Sequence, residues 1–176
     1  QNHLVHVVCE ARGVPTHNAF YPWVHMYNNN LIRSGLQGMT NSTHTILTVD
    51  ILSFEDIGTY ICSATNGIKG LDGKLVQTAS KDLHVKGAPV ILTENAVFAG
   101  EIGRSLNITI AFYSDPAIER FTIMRKNKPL GNTSSIMKYI SKTYIDLQLY
   151  GKTVTFWAQS INFVMSKFAQ EDVSNY

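Results

Sequence analysis

Six histidines are the residues of this chain that most readily suggest chemistry, because imidazole is the commonest metal ligand in proteins. They are His3, His6, His17, His25, His44 and His84. Residues three apart on a strand, such as the first two, face opposite sides, and no acidic or cysteine partner completes a ligand set. We therefore expect no metal site and no cofactor, and we expect the histidines to be solvent-exposed residues of strands and loops.

Serine, histidine and aspartate are abundant enough in the chain for a hydrolase-like set of residues to occur by chance. The sequence, however, has no G-x-S-x-G elbow and no glycine-rich loop that enters a helix. No helix of useful length is predicted. We therefore expect no catalytic residues and no enzymatic activity.

One cluster of basic residues could bind anions. It consists of Arg120, Arg125, Lys126, Lys128, Lys138 and Lys142. Asp115 and Glu119 dilute the cluster, and the net charge of the whole chain is only +2, so no nucleic-acid footprint is indicated. A solvated strand hairpin is one interpretation of the cluster, and a weak contact with a sulfated glycan is the other.

A pattern of a different kind runs through residues 55–62, where Asp56, Gly58, Tyr60 and Cys62 form D-x-G-x-Y-x-C. Cys9 ends an alternating apolar run, and Trp23 follows it. In this order these residues resemble an immunoglobulin domain. The segment Cys62-Ser63-Ala64-Thr65-Asn66 is similar to the C-x-A-x-N of the intermediate set.

The resemblance implies a structural role for each of these residues. Cys9 of strand B would form a disulfide with Cys62 of strand F, under the side chain of Trp23 from strand C. The Tyr60 hydroxyl would bond back into the preceding turn, and Asp56 would make a structural ion pair or a corner hydrogen bond. A disulfide implies an oxidising compartment. The alternative is a reduced, buried cysteine pair in an intracellular immunoglobulin domain.

Three sequons favour an extracellular location, at Asn41, Asn107 and Asn132. We expect glycans at all three. Asn107 has the opposite parity to the inward-facing Leu106 and Ile108, so it should face solvent, and Asn132 lies in a predicted turn. The chain has no stretch of about 20 apolar residues, so we expect any membrane anchor to lie outside it.

Length and pattern together predict an all-β protein of two tandem immunoglobulin-like sandwiches. The predicted domains are residues 1–86 and residues 87–176, with strand G of the first at residues 76–85 and a short joint at residues 86–89. We expect the first domain to lack strand A. We also expect it to lack the extra strands of a variable domain, because the interval from Trp23 to Leu47 is short.

The second domain repeats the strand B pattern without cysteines. Leu106, Ile108, Ile110 and Phe112 alternate with polar or small residues, and Ile110 takes the position of Cys9. Ile123 takes the position of the tryptophan, and residues 128–130 resemble the end of the strand C hairpin.

Two registers are open for the rest of that domain. In the first, residues 171–176 mirror residues 55–60, Phe163, Met165 and Phe168 replace Leu47, Val49 and Leu52, and the domain is incomplete. In the second, residues 145–149 form strand E, residues 154–160 form strand F with Phe156 at the cysteine position, and residues 165–176 form strand G. The matching apolar spacing favours the first register.

Four aromatic residues of the second domain are candidates for a protein interface: Tyr139, Tyr144, Tyr150 and Trp157. Tyrosine and tryptophan are enriched in interfaces because they give large contact areas at small entropic cost. The alternative is that they fill the core in place of the missing tryptophan and disulfide.

The chain resembles the ectodomain of an invertebrate-type immunoglobulin-superfamily protein, either membrane-anchored at the cell surface or secreted. The resemblance implies binding of proteins, homophilic or heterophilic, through the faces of rigid sandwiches. Cell adhesion or cell-surface recognition is the function we favour. The alternatives are the ligand-binding ectodomain of a receptor kinase or phosphatase, and a secreted immune recognition protein.

Overall fold

The computed structural model describes residues 4–93, 98–125, 128–129 and 136–167. The chain divides into two compact units, one of Gln1–Val85 with Gln148–Val154 and the other of Lys86–Leu147 with Thr155–Tyr176. Thirteen strands, β1 to β13, and one 3₁₀ turn, Phe54–Asp56, account for the secondary structure of the described residues. These residues contain no helix long and apolar enough to cross a membrane.

Two antiparallel sheets form the first unit. One contains β1 (Val5–Glu10), β5 (His44–Val49) and β4 (Met39–Thr40), in the order β1-β5-β4. The other contains β2 (Ala19–Tyr27), β3 (Asn30–Leu36), β6 (Gly58–Thr65) and β7 (Gln77–Leu83), in the order β3-β2-β6-β7. These orders correspond to strands B-E-D and C′-C-F-G of an immunoglobulin sandwich.

Strand β3 corrects the expectation that the first unit lacks every extra strand of a variable domain. It pairs antiparallel with β2 from Tyr27↔Asn30 onward and so takes the C′ position. The two residues between the strands, Asn28 and Asn29, have φ values of 46° and 63°. Asparagine tolerates this left-handed conformation, and a two-residue turn of this type joins strands tightly enough for C′ to fit in a short interval.

The core of the first unit is built by alternation along its strands. Inward-facing residues of β1, β2, β5 and β6 form one buried cluster: Val7, Cys9, Trp23, Leu47, Tyr60 and Cys62. Successive side chains on a strand face opposite sides, so these strands bury one face and expose the other.

One four-stranded antiparallel sheet dominates the second unit. It contains β8 (Gly87–Ile91), β9 (Leu106–Asp115), β12 (Ile136–Leu149) and β13 (Lys152–Met165), in the order β12-β13-β9-β8. This order corresponds to D-E-B-A of an immunoglobulin sandwich. A short hairpin of β10 (Met124–Arg125) and β11 (Lys128–Pro129) lies where the strand C hairpin was expected.

The pairing of β13 with β9 agrees with the first of the two registers. Phe163 lies opposite Ile108 and Met165 opposite Leu106. In the second register, residues 154–160 would be strand F, which belongs to the other sheet of an immunoglobulin sandwich and does not pair with strand B. Phe168 and residues 171–176, which the first register also used, lie outside the described residues.

The expected joint at residues 86–89 is mostly strand. Gly87 begins β8 and lies opposite Asp115 of β9. A proline is acceptable in this strand because β8 is the last in the sheet order, and an edge strand has one row of backbone groups without strand partners.

Candidate functional site

The disulfide joins the two sheets of the first unit. Cys9 of β1 is bonded to Cys62 of β6, with their Cα atoms 6.5 Å apart, and this confirms the predicted bridge. Trp23 belongs to the same buried cluster, with 2 % of its surface exposed, and its Nε1 donates a hydrogen bond to Thr45 Oγ1 at 3.2 Å.

Asp56 lies at the centre of a buried polar cluster in the first unit. Its Oδ1 accepts from Arg33 Nη2 at 2.9 Å, and its Oδ2 accepts from the Ser53 backbone N–H at 2.9 Å. The Ser53 side chain in turn caps the 3₁₀ turn that begins at Phe54. Both carboxylate oxygens are therefore occupied and fully buried, so Asp56 is not available as an acid or base for a substrate.

The Tyr60 hydroxyl closes the corner between this turn and β6. It donates to the Asp56 backbone carbonyl at 3.2 Å and accepts from Arg33 Nη2 at 2.9 Å. Burial raises the pKa of Tyr60 to about 12. The hydroxyl is therefore protonated, and hence a donor, throughout the physiological pH range.

Tyr150, one of the four aromatic interface candidates, also takes part in this cluster. It belongs to the segment Gln148–Val154 of the first unit, and its hydroxyl donates to Asp56 Oδ1 at 2.6 Å. The guanidinium carbon of Arg33 lies 3.7 Å from the centre of its ring. Burial and the bond to Asp56 raise the pKa of Tyr150 to about 12. One face of its ring and its hydroxyl are thus already engaged.

His25 contradicts the expectation that all the histidines are exposed. Its side chain is completely buried, stacked on Tyr60 with ring centres 4.5 Å apart. The signal was present in the sequence, because His25 lies two residues after Trp23 on the same strand and therefore shares its inward face. In the part of the chain that the structure describes, no group of three or more metal-binding side chains occurs; His3 lies outside that part.

The other interface candidates lie on β12 and β13. Tyr144 is 68 % exposed and Tyr139 is 49 % exposed. Trp157 is half-buried, whereas the adjacent Phe156 is buried, as the alternation of a strand requires.

Three side-chain contacts fix how β12 and β13 lie beside each other. Gln148 bonds to Thr153, Asp146 to Thr155 and Ser141 to Ser160. A two-residue turn at positions 150–151, both with positive φ, joins the strands in the same register. This register places Tyr144 opposite Trp157, on the face that also carries the exposed Asp146 and Thr155.

Tyr139 does not belong to that face. It lies five positions before Tyr144, and residues an odd number apart on a regular strand face opposite sides. We therefore call Tyr144 and Trp157 the aromatic pair and treat Tyr139 separately.

The predicted glycan and anion sites lie partly within the described residues. Asn107 and Asn41 are exposed, and Asn41 Oδ1 accepts the backbone N–H groups of Thr43 and His44 in a tight turn. Asn132 and Lys126 lie outside the described residues. Of the basic cluster, Arg120, Lys128 and Lys142 are exposed, and the sulfated-glycan contact stays a prediction.

No protein-family model matches the chain, and no curated protein matches it. Among solved structures, the chain is similar to an I-band fragment of titin at 15 % identity and a TM-score of 0.37, over 99 % of this chain and 53 % of that one. A structure of three immunoglobulin domains of titin with E-to-A mutations is 14 % identical, with a TM-score of 0.38, over 99 % of this chain and 53 % of that one. A chimeric tandem of titin Z1 and Z2 domains, functionalised with an exogenous GRGDS peptide from fibronectin, is 16 % identical, with a TM-score of 0.35, over 98 % of this chain and 80 % of that one.

The chain thus spans about half the length of the first two titin structures. Similarities of this size add nothing to the strand order and pairing, on which the fold assignment rests. The chain is an all-β protein with two immunoglobulin-like units in tandem along its sequence.

Proposed function

We propose that this chain is an extracellular protein-recognition module that acts in cell adhesion or cell-surface recognition. The observation that carries the proposal is the aromatic pair, Tyr144 and Trp157, on the outward face of the β12–β13 hairpin. Tyr144 is 68 % exposed in the middle of a strand, where burial by the protein's own core cannot be its role.

The surroundings of the aromatic pair suit a protein interface. Lys142 and Asp146 lie two positions on either side of Tyr144, and Thr155 lies two positions before Trp157. All three are exposed and polar. An aromatic centre with a polar rim is the usual composition of a non-obligate protein–protein interface. The aromatic side chains supply most of the binding free energy.

The extracellular location rests on two features of the first unit and one of the second. The disulfide persists in oxidising compartments, and both described sequon asparagines, Asn41 and Asn107, are exposed to solvent. We propose that the chain is part of the ectodomain of a cell-surface protein or of a secreted protein. Binding would use docking of preformed surfaces, homophilic or heterophilic, with no covalent step.

Replacement of the aromatic pair tests the recognition role. Beads coated with the full chain should aggregate if binding is homophilic, and tetramers of the chain should stain partner cells if it is heterophilic. Tyr144→Ala and Trp157→Ala should each weaken binding at least five- to tenfold, which corresponds to about 1 to 1.5 kcal/mol. Tyr144→Ala should leave the unfolding midpoint unchanged.

Tyr21 provides the matched control. It is 47 % exposed, on β2 of the first unit, so Tyr21→Ala removes a comparable aromatic surface elsewhere. Tyr139→Ala tests the opposite side of β12. If binding survives Tyr144→Ala but is lost with Tyr21→Ala or Tyr139→Ala, the recognition surface does not lie at the aromatic pair.

Glycosylation tests the location independently of any partner. Protein secreted from animal cells should lose mass on treatment with a peptide N-glycosidase, and Asn107→Gln should remove one glycan. Asn41→Gln should remove another. An unchanged gel mobility in all three experiments would contradict the extracellular proposal while leaving the fold intact.

A further inference from the structure

His25 is held by two hydrogen bonds of opposite kind. Its Nε2 lies 3.0 Å from the Ile57 backbone carbonyl, and its Nδ1 lies 3.3 Å from Nε of Arg33. A carbonyl can only accept and a guanidinium can only donate. Both contacts are therefore satisfied by one form of the ring alone, the neutral tautomer with hydrogen on Nε2.

Close neighbours on several sides hold the ring against these partners. It stacks on Tyr60 with an interplanar angle of 7°, and Tyr150 meets it edge-on at 6.4 Å between ring centres. Gly58, the glycine of the D-x-G-x-Y-x-C pattern, lies against the remaining edge. A side-chain carbon at Gly58 would come within 2.9 Å of His25 Nε2 and would also collide with the Met26 carbonyl.

Arg33 connects His25 to the buried carboxylate. The same guanidinium that donates to His25 through Nε donates through Nη2 to Asp56 and to Tyr60. Asp56 is completely buried, so its charge depends on Arg33 for compensation. Anything that displaces Arg33 therefore leaves a buried carboxylate without its ion pair.

We propose that His25 is an acid-sensitive latch of the first unit. Neutral, it accepts from Arg33 and holds the guanidinium on Asp56. When His25 is protonated, it presents an N–H and a positive charge to Arg33, and Arg33 must then move away. The buried Asp56 carboxylate thereby loses the positive charge that compensates it. The charged and titratable groups that face the ring are Arg33 from β3, Asp56 from the 3₁₀ turn, Tyr60 from β6 and Tyr150 from the turn after β12.

The electrostatics of the site set the direction of the effect. Burial and then the Arg33 charge lower the pKa of His25 from 6.5, against the Ile57 carbonyl and Asp56, which raise it. A folded-state pKa below the unfolded one means that the unfolded chain binds the proton more tightly. The stability that neutral His25 contributes is therefore complete above about pH 6.5 and is lost as the pH falls from there towards the folded pKa.

His25→Gln is the decisive variant, because glutamine can reproduce both contacts without titrating. Its amide N–H₂ can donate to Ile57, and its carbonyl oxygen can accept from Arg33. We would measure urea unfolding of the full chain at pH 7.5, 6.5, 6.0 and 5.5, in a Trp157→Phe background so that Trp23 fluorescence reports the first unit. The ratio of unfolded to folded protein should rise by up to tenfold per pH unit below 6.5 in the parent, relative to His25→Gln.

His17→Gln and His84→Gln are matched controls, since both histidines are exposed. Each should keep the parental pH dependence. A His25→Gln protein that keeps the parental dependence would overturn the proposal.

Nuclear magnetic resonance of the parent gives a test that needs no variant at His25. The imidazole ¹⁵N shifts should show hydrogen on Nε2 at pH 7.5, and the ring should become protonated in the folded protein only below pH 6.5. A His25 that titrates in the folded state at or above pH 6.5, or that carries its hydrogen on Nδ1, would overturn the proposal even if His25→Gln failed to fold.

Discussion

The strand pair β1–β5 of the first unit and the strand pair β9–β13 of the second have the same register with different side chains. The paired positions are Val5 with Val49, Val7 with Leu47 and Cys9 with Thr45 in the first unit, and Leu106 with Met165, Ile108 with Phe163 and Ile110 with Ile161 in the second. The second unit has the larger residue at each of these six positions, including isoleucine in place of the cysteine.

The comparison separates what sets a register from what stabilises it. Alternation of apolar and polar residues sets the register, because a slip of one residue would turn every apolar side chain to the other face. The first unit then adds a disulfide, whereas the second adds apolar volume, with Ile123 packed on the buried cluster of Leu106, Phe163 and Met165.

The two units also bury different kinds of polar group. In the described residues, the buried polar side chains of the first unit include the ionisable His25 and Asp56. Those of the second unit are Ser114, Gln159 and Ser160, none of which titrates near neutral pH. The first unit should therefore respond to reductant and acid, and the second should not.

Loss of the disulfide should have the largest effect. Replacement of both cysteines, Cys9→Ala with Cys62→Ala, should destabilise the first unit by about 4 kcal/mol, because the bridge closes a loop of 53 residues in the unfolded chain. Hydrogen exchange measured by mass spectrometry separates the units. Peptides from β6 should lose protection, whereas peptides from β9 should keep theirs.

Equal loss of protection in both units would contradict this prediction, because it would mean that the second unit has no stability of its own. Reduction of the parent protein with a phosphine provides the control for packing effects of the two alanines.

Loss of the Arg33 charge should come next. Arg33→Met leaves the Asp56 carboxylate buried without its ion pair and should destabilise the first unit by about 3 kcal/mol in urea unfolding. Asp56→Asn added to Arg33→Met should recover part of that loss. The matched control is Arg12→Met, which breaks the fully exposed pair with Glu10 and should leave the unfolding midpoint unchanged.

A loss no larger for Arg33→Met than for Arg12→Met would mean that water or another group compensates Asp56. The buried polar cluster would then not distinguish the two units.

Exchange of the paired core residues should have a smaller effect. Leu47→Phe gives the first unit the residue of the second and should cost about 2 kcal/mol, because Leu47 belongs to the buried cluster of the disulfide and Trp23 and a larger ring forces its neighbours to shift. Phe163→Leu should cost about 1 to 2 kcal/mol through the cavity it leaves. Calorimetry that shows Leu47→Phe to be stabilising would mean that the first core is underpacked and that the disulfide compensates for a defect.

Much of this architecture follows from the sequence. The D-x-G-x-Y-x-C pattern with Cys9 and Trp23 carries the resemblance to an immunoglobulin domain, and that resemblance implies the disulfide and the sandwich. The matched spacing of Leu47 and Val49 with Phe163 and Met165 predicts the pairing of β13 with β9, since apolar periodicity carries register.

The sequence indicates β3 and the burial of His25 only weakly. Asn28 and Asn29 tolerate positive φ and so indicate a tight turn. Only with such a turn does the short interval from Trp23 to Leu47 have space for β3. The burial of His25 follows from its parity with Trp23, although histidine composition alone suggests exposure. The contact of Tyr150 with Asp56 joins residues 94 positions apart, and no local pattern encodes it.

Loss of the Ser160 hydroxyl should have the smallest effect and tests the neutral polar groups of the second unit. Ser160 Oγ lies 2.8 Å from Ser141 Oγ and accepts from Asn162 Nδ2 at 3.1 Å, and Thr109 Oγ1 donates to Asn162 Oδ1 at 3.0 Å. Ser160→Ala should cost about 1 kcal/mol, the usual net value of a buried hydrogen bond, because Asn162 and Ser141 still bond to each other. The loss should be the same at pH 7.5 and pH 5.5, since no member of the network titrates in that range.

Thr155→Ala is the control, because it removes an exposed hydrogen bond to Asp146 on the opposite face of the same strand and should change stability by less than about 0.5 kcal/mol. Hydrogen exchange of β9 and β13 peptides measures both variants. The stability lost through Ser160→Ala could instead grow between pH 7.5 and pH 5.5, as the stability lost by the first unit of the parent is expected to do. The second unit would then contain an ionisable group coupled to its core. The distinction between an acid-sensitive first unit and an acid-insensitive second unit would fail.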